Sequence, residues 1–408
     1  MVPYLQKTTS AAALLLGAQE AFPSAELARL LASNKTLRIK LGFDPTKPDL
    51  HLGHAVVLNG LRRFQEAGHQ VVIIIGDFTA RIGDPTGKET ARPPLSAAEI
   101  AANASTYLDQ LGLLIDLDKA EIHSNSEWLG KLSLNEIIQL MAKTTIAQLL
   151  ARESFARRYE RGDSIGLHEF LYPLLQGYDS VAINADIELG GTDQRFNLLV
   201  GRDLQQGYGQ KPQICITYPI LEGIDGHEKM SKSLDNYVGL TMPPAEMYGR
   251  TMSIPDSLLP TWYSLASGLP QITVQKILAN LENGKLHPRD VKMQLAYSIV
   301  LLYHGAEAAR SAQDNFIHQF QKKELPEEIP EYQLSDASLN ICSLLVKVGL
   351  VTSTSEARRL VEQGGVKLHL AAGMRLIEDP HFSVEINSTA NVIQVGKRRF
   401  VRIVAASE

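Results

Sequence analysis

The chain has 408 residues, 44% of them apolar and 21% charged, with a formal net charge of −5. Those proportions exclude a disordered or fibrous chain and point to an ordinary globular protein of two or three domains; the negative balance argues against bulk attraction to nucleic acid, though not against a local basic face. No run approaches the roughly 20 apolar residues of a membrane span, and Cys215 and Cys342 match no metal or disulfide spacing, which fits a reducing compartment.

Ala11–Ala18 is apolar and follows Lys7, like a short signal core. It reads better as the end of an amphipathic helix, and the expectation is a cytoplasmic protein. Leu37, Ile39 and Leu41 alternate with polar neighbours, so Arg38–Phe43 is expected to be a strand, broken by Gly42. Pro45 and Pro48 fix the following loop. Asp49 offers a helix N-cap, and a helical apolar pattern runs from Leu50 through Val57 and Leu61. A strand, a tight turn and a helix N-terminus can cradle a phosphate, because free backbone N–H groups and the positive helix end converge there. His51 and His54, three residues apart, share one face of the first turn.

The alternation continues. Val71–Gly76 is apolar throughout, as a buried parallel strand should be. Ser96 and Glu99 form a capping box for a helix to about Leu114, Glu121–His123 is a short strand, and Ser133 and Glu136 cap another helix. A charged helical pattern covers Thr145–Arg161 and a further helix Leu167–Ser180. The strand Ile187–Leu189 ends at Gly190 and Gly191, a helix runs from Thr192 to about Gln206, and the strand Ile214–Ile220 leads into a polar loop. Strands alternating with helices mean an open, Rossmann-like parallel sheet whose ligands bind beyond the carboxyl ends of the strands. From Pro243 to about Gln321 only helical patterns occur, at Pro244–Met252, Leu258–Ser267, Ile272–Asn280 and Val291–His304. Pro326–Pro330 reads as a stiff linker.

From Asp336 onward a helix (Leu339–Val348), a capped helix after Ser353 ending at Gly364-Gly365, and strands at Val366–Leu370 and Asn391–Val404 form a small α+β module. It carries nine Lys/Arg against seven Asp/Glu, so its net charge is +2 and that of the rest −7. The basic pairs and triplets are either a solvated surface or an RNA-binding face. The expected domains are residues 1–225, 226–330 and 336–408.

Among the motifs, Gly83-Asp-Pro-Thr-Gly87-Lys88 is not a phosphate loop, since only three residues separate its glycines and Glu89 follows the lysine. His51 and His54 could be a metal pair, but a third zinc ligand is missing nearby; His168-Glu169 begins a zinc motif that Tyr172 fails to complete. Lys229-Met-Ser-Lys232-Ser places two lysines and two hydroxyls in a loop, which suits transient holding of a polyphosphate. Tyr172, Gln176 and Asp179 fall on one stripe of a helix.

Paired in one chain, H-L-G-H at 51–54 and K-M-S-K-S at 229–233 resemble the signatures of class I aminoacyl-tRNA synthetases. The blocks G-F-D-P-T-K-P-D-L-H-L-G-H, G-D-F-T-A-R-I-G-D-P-T-G-K, L-Y-P-L-L-Q-G-Y-D-S and G-G-T-D-Q-R-F-N resemble the bacterial tyrosyl-tRNA synthetases in particular. In the tail, G-L-V-T-S-T-S-E-A-R-R-L-V-E-Q-G-G-V and G-K-R-R-F-V-R-I are similar to the small RNA-binding domain shared with a ribosomal small-subunit protein. The likeness covers nearly the whole chain, least firmly the helical stretch from Pro243 to Gln321.

The resemblance implies a ligase that activates tyrosine with ATP and Mg²⁺ as substrate and passes it to tRNA(Tyr), with no tightly bound cofactor and no resident metal. It assigns the reacting phosphate to His51, His54, Lys229, Lys232 and Thr46. ATP would be held by Gly42, Asp44, Gly53, Lys88, Arg92, Asp193, Ser231 and Ser233. Tyrosine would be held by Asp84, Tyr172, Gln176, Asp179 and Gln194. The tRNA would meet Arg358, Arg359, Lys367, Lys397, Arg398 and Arg399, and a homodimer is implied. A tryptophan-type synthetase and a non-catalytic RNA-binding protein are the alternatives; Asp179 suits a phenol better than an indole, which offers only a donor at a different depth. In one place the chain departs from the family: Lys40 stands where many members carry a tyrosine that helps read the substrate hydroxyl, which leaves open the partner of Asp179.

Overall fold

The computed structural model describes residues 10–33, 35–85, 96–321, 329–370, 373–386, 391–396 and 399–405, and for residues 97, 320 and 321 the backbone alone. Two compact units divide the chain, Met1–Gln313 and Asp314–Glu408.

In the first unit α1 (Ala11–Leu14), β1 (Glu20–Phe22) and α2 (Ser24–Leu31) precede β2 (Arg38–Phe43). Then come α3 (Leu52–Glu66), β3 (Gln70–Ile75), α4 (Ala97–Leu111), β4 (Glu121–Ser124) and α5 (Ser126–Leu129). The helices α6 (Leu134–Met141), α7 (Ile146–Leu150), α8 (Glu153–Arg161) and α9 (Leu171–Ala182) lead to β5 (Ile187–Gly191), α10 (Arg195–Gly207) and β6 (Ile214–Tyr218). The six strands form one sheet in the order β1-β6-β5-β2-β3-β4, parallel except for the edge strand β1. Helices cover both faces, so β3 and β6 are buried along almost their full length. One consequence is steric: a Cβ on Gly60 of α3 would collide with the Tyr218 hydroxyl oxygen, so only glycine lets that helix lie so close to the sheet.

Four expectations change. Lys40, polar by alternation, is wholly buried, because the central strand has no solvent face. Gly42 does not break β2, which spans Arg38–Phe43 as expected. Asp49 does not cap α3; His51 does, with its own amide bonded to His54 Nδ1 at 3.2 Å. The helical pattern over Thr145–Arg161 is two helices, because the chain turns at Ala151 and Arg152. The capping boxes at Ser96 and Ser133 form as expected. Pro173 is the third residue of α9, where its missing N–H has no helical acceptor to satisfy.

The helices α11 (Pro244–Met252), α12 (Leu259–Ala266), α13 (Gln271–Glu282) and α14 (Pro288–Phe316) follow, the last kinked at Gly305. In the second unit β7 (Glu331–Leu334), β8 (Ser338–Asn340), α15 (Ile341–Lys347) and α16 (Thr354–Glu362) precede β9 (Val366–Leu370), β10 (Gly373–Ile377), β11 (Ser383–Glu385), β12 (Asn391–Val395) and β13 (Arg399–Ala405). A five-stranded sheet, β10-β9-β12-β13-β7, and a two-stranded ribbon of β11 and β8 enclose a separate apolar core that includes Ile341, Leu344, Leu345, Val361 and Ile393. The single strand expected over Asn391–Val404 is a hairpin of β12 and β13. Ser353 caps α16, but Glu356 reaches past it to the Thr352 amide and hydroxyl.

Candidate active site

The central strands β2 and β5 pair only at Ile39–Ile187 and Lys40–Glu188, whereas β2 and β3 stay paired to Phe43–Ile75. Beyond Lys40 and Glu188 the two strands part. From β2 the chain fills one side of the sheet and from β5 the other, so this gap is the switch point at which open sheets bind ligands. Its floor is bare backbone: Gly42 is exposed in mid-sheet, and a Cβ there would meet nothing nearer than Ile74 at 4.0 Å.

One side of the gap gathers cations around imidazoles. The chain reverses after Pro45, where the Thr46 amide bonds to the Asp44 carbonyl at 2.7 Å, and α3 starts with the ring centroids of His51 and His54 3.9 Å apart. Gly53 lies against the His51 ring and Met230. The lysine loop after β6 is tied to the same helix start: Leu52 and Leu240 amides bond to Val238 and Leu50 carbonyls at 2.9 and 3.0 Å, and Met230 is buried. Lys232 stands 3.2 Å from Asp49, and Lys229 stands 2.5 Å from Asp193, which follows β5. The hydroxyls of Ser231 and Ser233 are 2.8 Å apart. Burial, with the charges of Lys229 and Lys232, pushes His54 down to about 3, and burial with the His54 ring pushes His51 well below its ordinary value. Both histidines are therefore held neutral near pH 7, and each keeps one ring N–H that can donate.

The other side is a buried carboxylate network. Tyr172 on α9 donates to Asp44 at 2.9 Å, and the Thr79 hydroxyl donates to its other oxygen at 2.8 Å. Burial raises Asp44 to about 7. Asp179, two turns further along α9, accepts from the Trp128 indole at 2.8 Å and from Asn125 at 3.3 Å, and burial raises it to about 6. Asp84 accepts from Gln194 at 2.7 Å and from the buried Arg152 at 3.2 Å. The Asn197 amide bridges Gln176 and Gln194, at 2.8 and 2.9 Å. Carboxylates and a fan of amides around one gap suit an ammonium at one end and a hydroxyl donor at the other.

The structure thus gathers His51, His54, Thr46, Gly53, Lys229, Lys232, Ser231, Ser233, Asp193 and Gly42 with Asp44, Asp84, Tyr172, Gln176, Asp179 and Gln194 around one gap. Asp44, expected to flank the nucleotide, is bonded here to Tyr172 and Thr79. Lys88 and Arg92 lie outside the described residues. Thr79, Asn125, Trp128, Arg152 and Asn197 are not legible in the sequence as site residues. Only the position of Asn125 and Trp128 just past a parallel strand could signal them. Glu169 is no metal ligand in waiting: Arg158 holds it at 2.5 and 3.0 Å and the Gly166 amide at 2.8 Å. No cluster of three potential metal-ligating side chains occurs among the described residues.

In the second unit Arg358 and Arg359 project from α16 into solvent, and Lys367 is half-buried on β9. Arg399 is exposed, yet it donates to the Leu350 carbonyl and so also braces the fold. Lys397 and Arg398 lie outside the described residues.

Residues 32–321 match the family model for class I tRNA synthetases (W and Y). A tyrosine–tRNA ligase of Moorella thermoacetica is 52% identical over 93% of this chain and 91% of its own length, and one of Thermotoga maritima is 51% identical over 90% of each. In fold, the chain resembles a tyrosyl-tRNA synthetase of Archaeoglobus fulgidus complexed with L-tyrosine, with TM-score 0.61 and 24% identity over 76% of this chain and 100% of that one. A C-terminally truncated mitochondrial tyrosyl-tRNA synthetase of Aspergillus nidulans has TM-score 0.62 and 23% identity over 75% of this chain and 93% of its own. The switch-point gap, the histidine pair, the lysine loop and this kinship together establish that the chain belongs to the class I tRNA synthetases of the tryptophan and tyrosine type, and within them to the tyrosine–tRNA ligases.

Proposed function

We propose that this protein joins tyrosine to tRNA(Tyr) in two steps. A tyrosine carboxylate oxygen attacks the α-phosphorus of ATP, bound with Mg²⁺ as substrate; the bond to the β-phosphate oxygen breaks and pyrophosphate leaves. A hydroxyl of the terminal tRNA ribose then attacks the acyl carbon of the adenylate and AMP leaves. The attacking carboxylate is already a nucleophile, so the first step needs alignment and charge stabilisation rather than a general base.

In this reading His51, His54 and Thr46 donate to the phosphates, and Lys229 and Lys232 supply charge as it builds on the leaving pyrophosphate, with Lys88 and Arg92 in the same role. Ser231 and Ser233 shape the loop that carries the lysines. Gly42 and Gly53 leave room for the nucleotide, and Asp193 takes its ribose. Asp84, Gln176 and Gln194 take the tyrosine ammonium, and Asp44 orients Tyr172 toward it. Asp179 accepts the phenolic hydroxyl. The observation that carries the choice of tyrosine is Asp179: it is a buried carboxylate held by two neutral donors. Four acceptor directions on a carboxylate leave room for a phenol after Trp128 and Asn125 are served. A substrate lacking the hydroxyl would leave a buried acceptor unmatched, and tyrosine-specific ligases are themselves a familiar example of this kind of discrimination.

A domain boundary near residue 225, a further one near 330, a cytoplasmic location and a tRNA contact through Arg358, Arg359, Lys367, Lys397, Arg398 and Arg399 belong to the same reading. So does a homodimer. It is supported by Leu134, Ile138 and Met141, which lie exposed on one stripe of α6, and by the exposed Ile146 on α7. Tyrosine-dependent exchange of pyrophosphate into ATP tests the whole. Exchange with tyrosine and not with tryptophan is expected; equal exchange with tryptophan, or none with either, overturns it.

A further inference from the structure

Lys40 is fully buried at the centre of the sheet. An ammonium in such a place is costly unless it is paired and each N–H is bonded. Its three donors have three acceptors: Glu188 Oε1 at 2.8 Å, Ser180 Oγ at 2.8 Å and the Gln176 carbonyl at 2.9 Å. Glu188 is equally buried, and its second oxygen accepts from Ser180 at 3.1 Å and Gln213 at 2.5 Å. Lys40 and Glu188 are also the last paired residues before β2 and β5 separate. The ion pair therefore marks where the gap begins.

With its N–H groups engaged, Lys40 has none left for a substrate hydroxyl. What it grips is one turn of α9, from Gln176 to Ser180, and Asp179 sits on that turn. Resting on the reading of Asp179 as acceptor of the tyrosine hydroxyl, we propose that Lys40 is a specificity-determining positioning residue: bound to Glu188, it fixes the turn of α9 that presents Asp179, without touching the substrate. Its charge acts in the same sense, since burial and Glu188 push the Asp179 carboxyl up while Lys40 draws it down. The other titratable groups around Asp179 are Asp44 at the end of β2 and Tyr172 on α9. From the β4–α5 side come the neutral Asn125 and Trp128, with His123 5.9 Å from the Trp128 ring. Lys40 is the cation that acts on Asp179 among these.

The test uses the full chain and two variants, Lys40→Met and the charge-balanced Lys40→Met/Glu188→Gln, the second leaving no orphaned buried charge. Exchange is measured with tyrosine and with phenylalanine across pH, and the KM for ATP alongside. The balanced variant is expected to fold, to lose about tenfold or more of its preference for tyrosine over phenylalanine, to shift its acid limb for tyrosine to higher pH, and to keep its ATP KM within about twofold. An unchanged preference and acid limb overturn the proposal, as does an equal loss for both amino acids and ATP, which a merely structural role gives. Should neither variant fold, Ser180→Ala removes one Lys40 acceptor and keeps both charges; an unchanged preference there overturns the proposal as well. Absence of tyrosine exchange in the wild-type chain overturns the functional reading itself, and is thereby told apart from a failure of the Lys40 assignment.

Discussion

Lys229 and Asp193 meet, ammonium to carboxylate, at 2.5 Å. The first belongs to the lysine loop and the second to the end of β5, and in the proposed reaction they serve opposite ends of one nucleotide. In that reaction an incoming ATP would exchange the pair, its ribose taking Asp193 and its phosphates Lys229. The Lys229 side chain is 58% exposed, so the pair is weak and the exchange costs little. Asp193→Asn is expected to raise the KM for ATP by roughly tenfold, as loss of a charged acceptor does, and to leave the KM for tyrosine unaltered. Exchange kinetics with ATP varied measure this, and an unaltered ATP KM removes the ribose role.

Lys232 is the better enclosed lysine, with burial lowering its pKa and Asp49 at 3.2 Å holding its charge. Lys232→Ala should slow adenylate formation by about a hundredfold or more, the usual cost of removing one preorganised charge-stabilising group. Tyrosine binding, followed at equilibrium, should hardly change. Equal rates of adenylate formation in mutant and wild type would refute the role.

Asp179→Asn keeps the shape of the side chain and removes its charge. It is expected to lower kcat/KM for tyrosine by roughly ten- to a hundredfold, the range for a hydrogen bond to a charged group, and to lower that for phenylalanine far less. The comparison of the two amino acids is the measurement; an equal loss for both would show that Asp179 does not read the hydroxyl.

The pH dependence follows from the carboxyls. Burial holds Asp44 at about 7 and Asp179 at about 6, above the ordinary aspartate value of 3.8. Each is ionised only above its raised value, so kcat/KM for tyrosine should fall as pH drops through 7 and then 6. The histidines, held neutral, add nothing to that window. For stability the sign reverses: a carboxyl with a higher pKa folded than unfolded favours the fold at acid pH and disfavours it as pH rises through that value. Asp44→Asn should erase the upper limb and keep the lower one. A profile that keeps both limbs assigns the upper one elsewhere.

The second unit has its own core, and β7 belongs to its sheet through parallel pairing with β13. A clean truncation therefore starts before Glu331. Deleting residues 329–408 should spare tyrosine-dependent exchange and weaken tRNA charging. In the full chain, Arg358→Ala with Arg359→Ala should flatten the salt dependence of tRNA binding by roughly one unit for each phosphate contact removed. Charging that is indifferent to the truncation removes the RNA role of this unit.

Much of this protein is legible without its fold. Apolar runs and alternation mark most strands of the first sheet, and side-chain chemistry within three residues sets the caps at Ser96 and Ser133, because such signals are local. Tyr172, Gln176 and Asp179 share a stripe on any helix that contains them. The short strands β1, β7, β8, β10 and β11 escape a sequence reading, since edge strands of three to five residues carry little periodicity. So does the break at Ala151 and Arg152, because Arg152 turns inward to Asp84, far away in sequence. The site itself depends on such distant pairings. Nothing near Lys40 announces Glu188, yet their pairing ends the contact of β2 with β5 and opens the gap. By itself the sequence named candidates for the chemistry, His51, His54, Lys229 and Lys232 among them, but not Thr79, Asn125, Trp128, Arg152 or Asn197. Only the tertiary structure decided that Lys40 is a buried, fully bonded ammonium under Asp179 rather than a solvent-facing lysine, because both faces of a central parallel strand are covered and a charge there exists only with its partners in place.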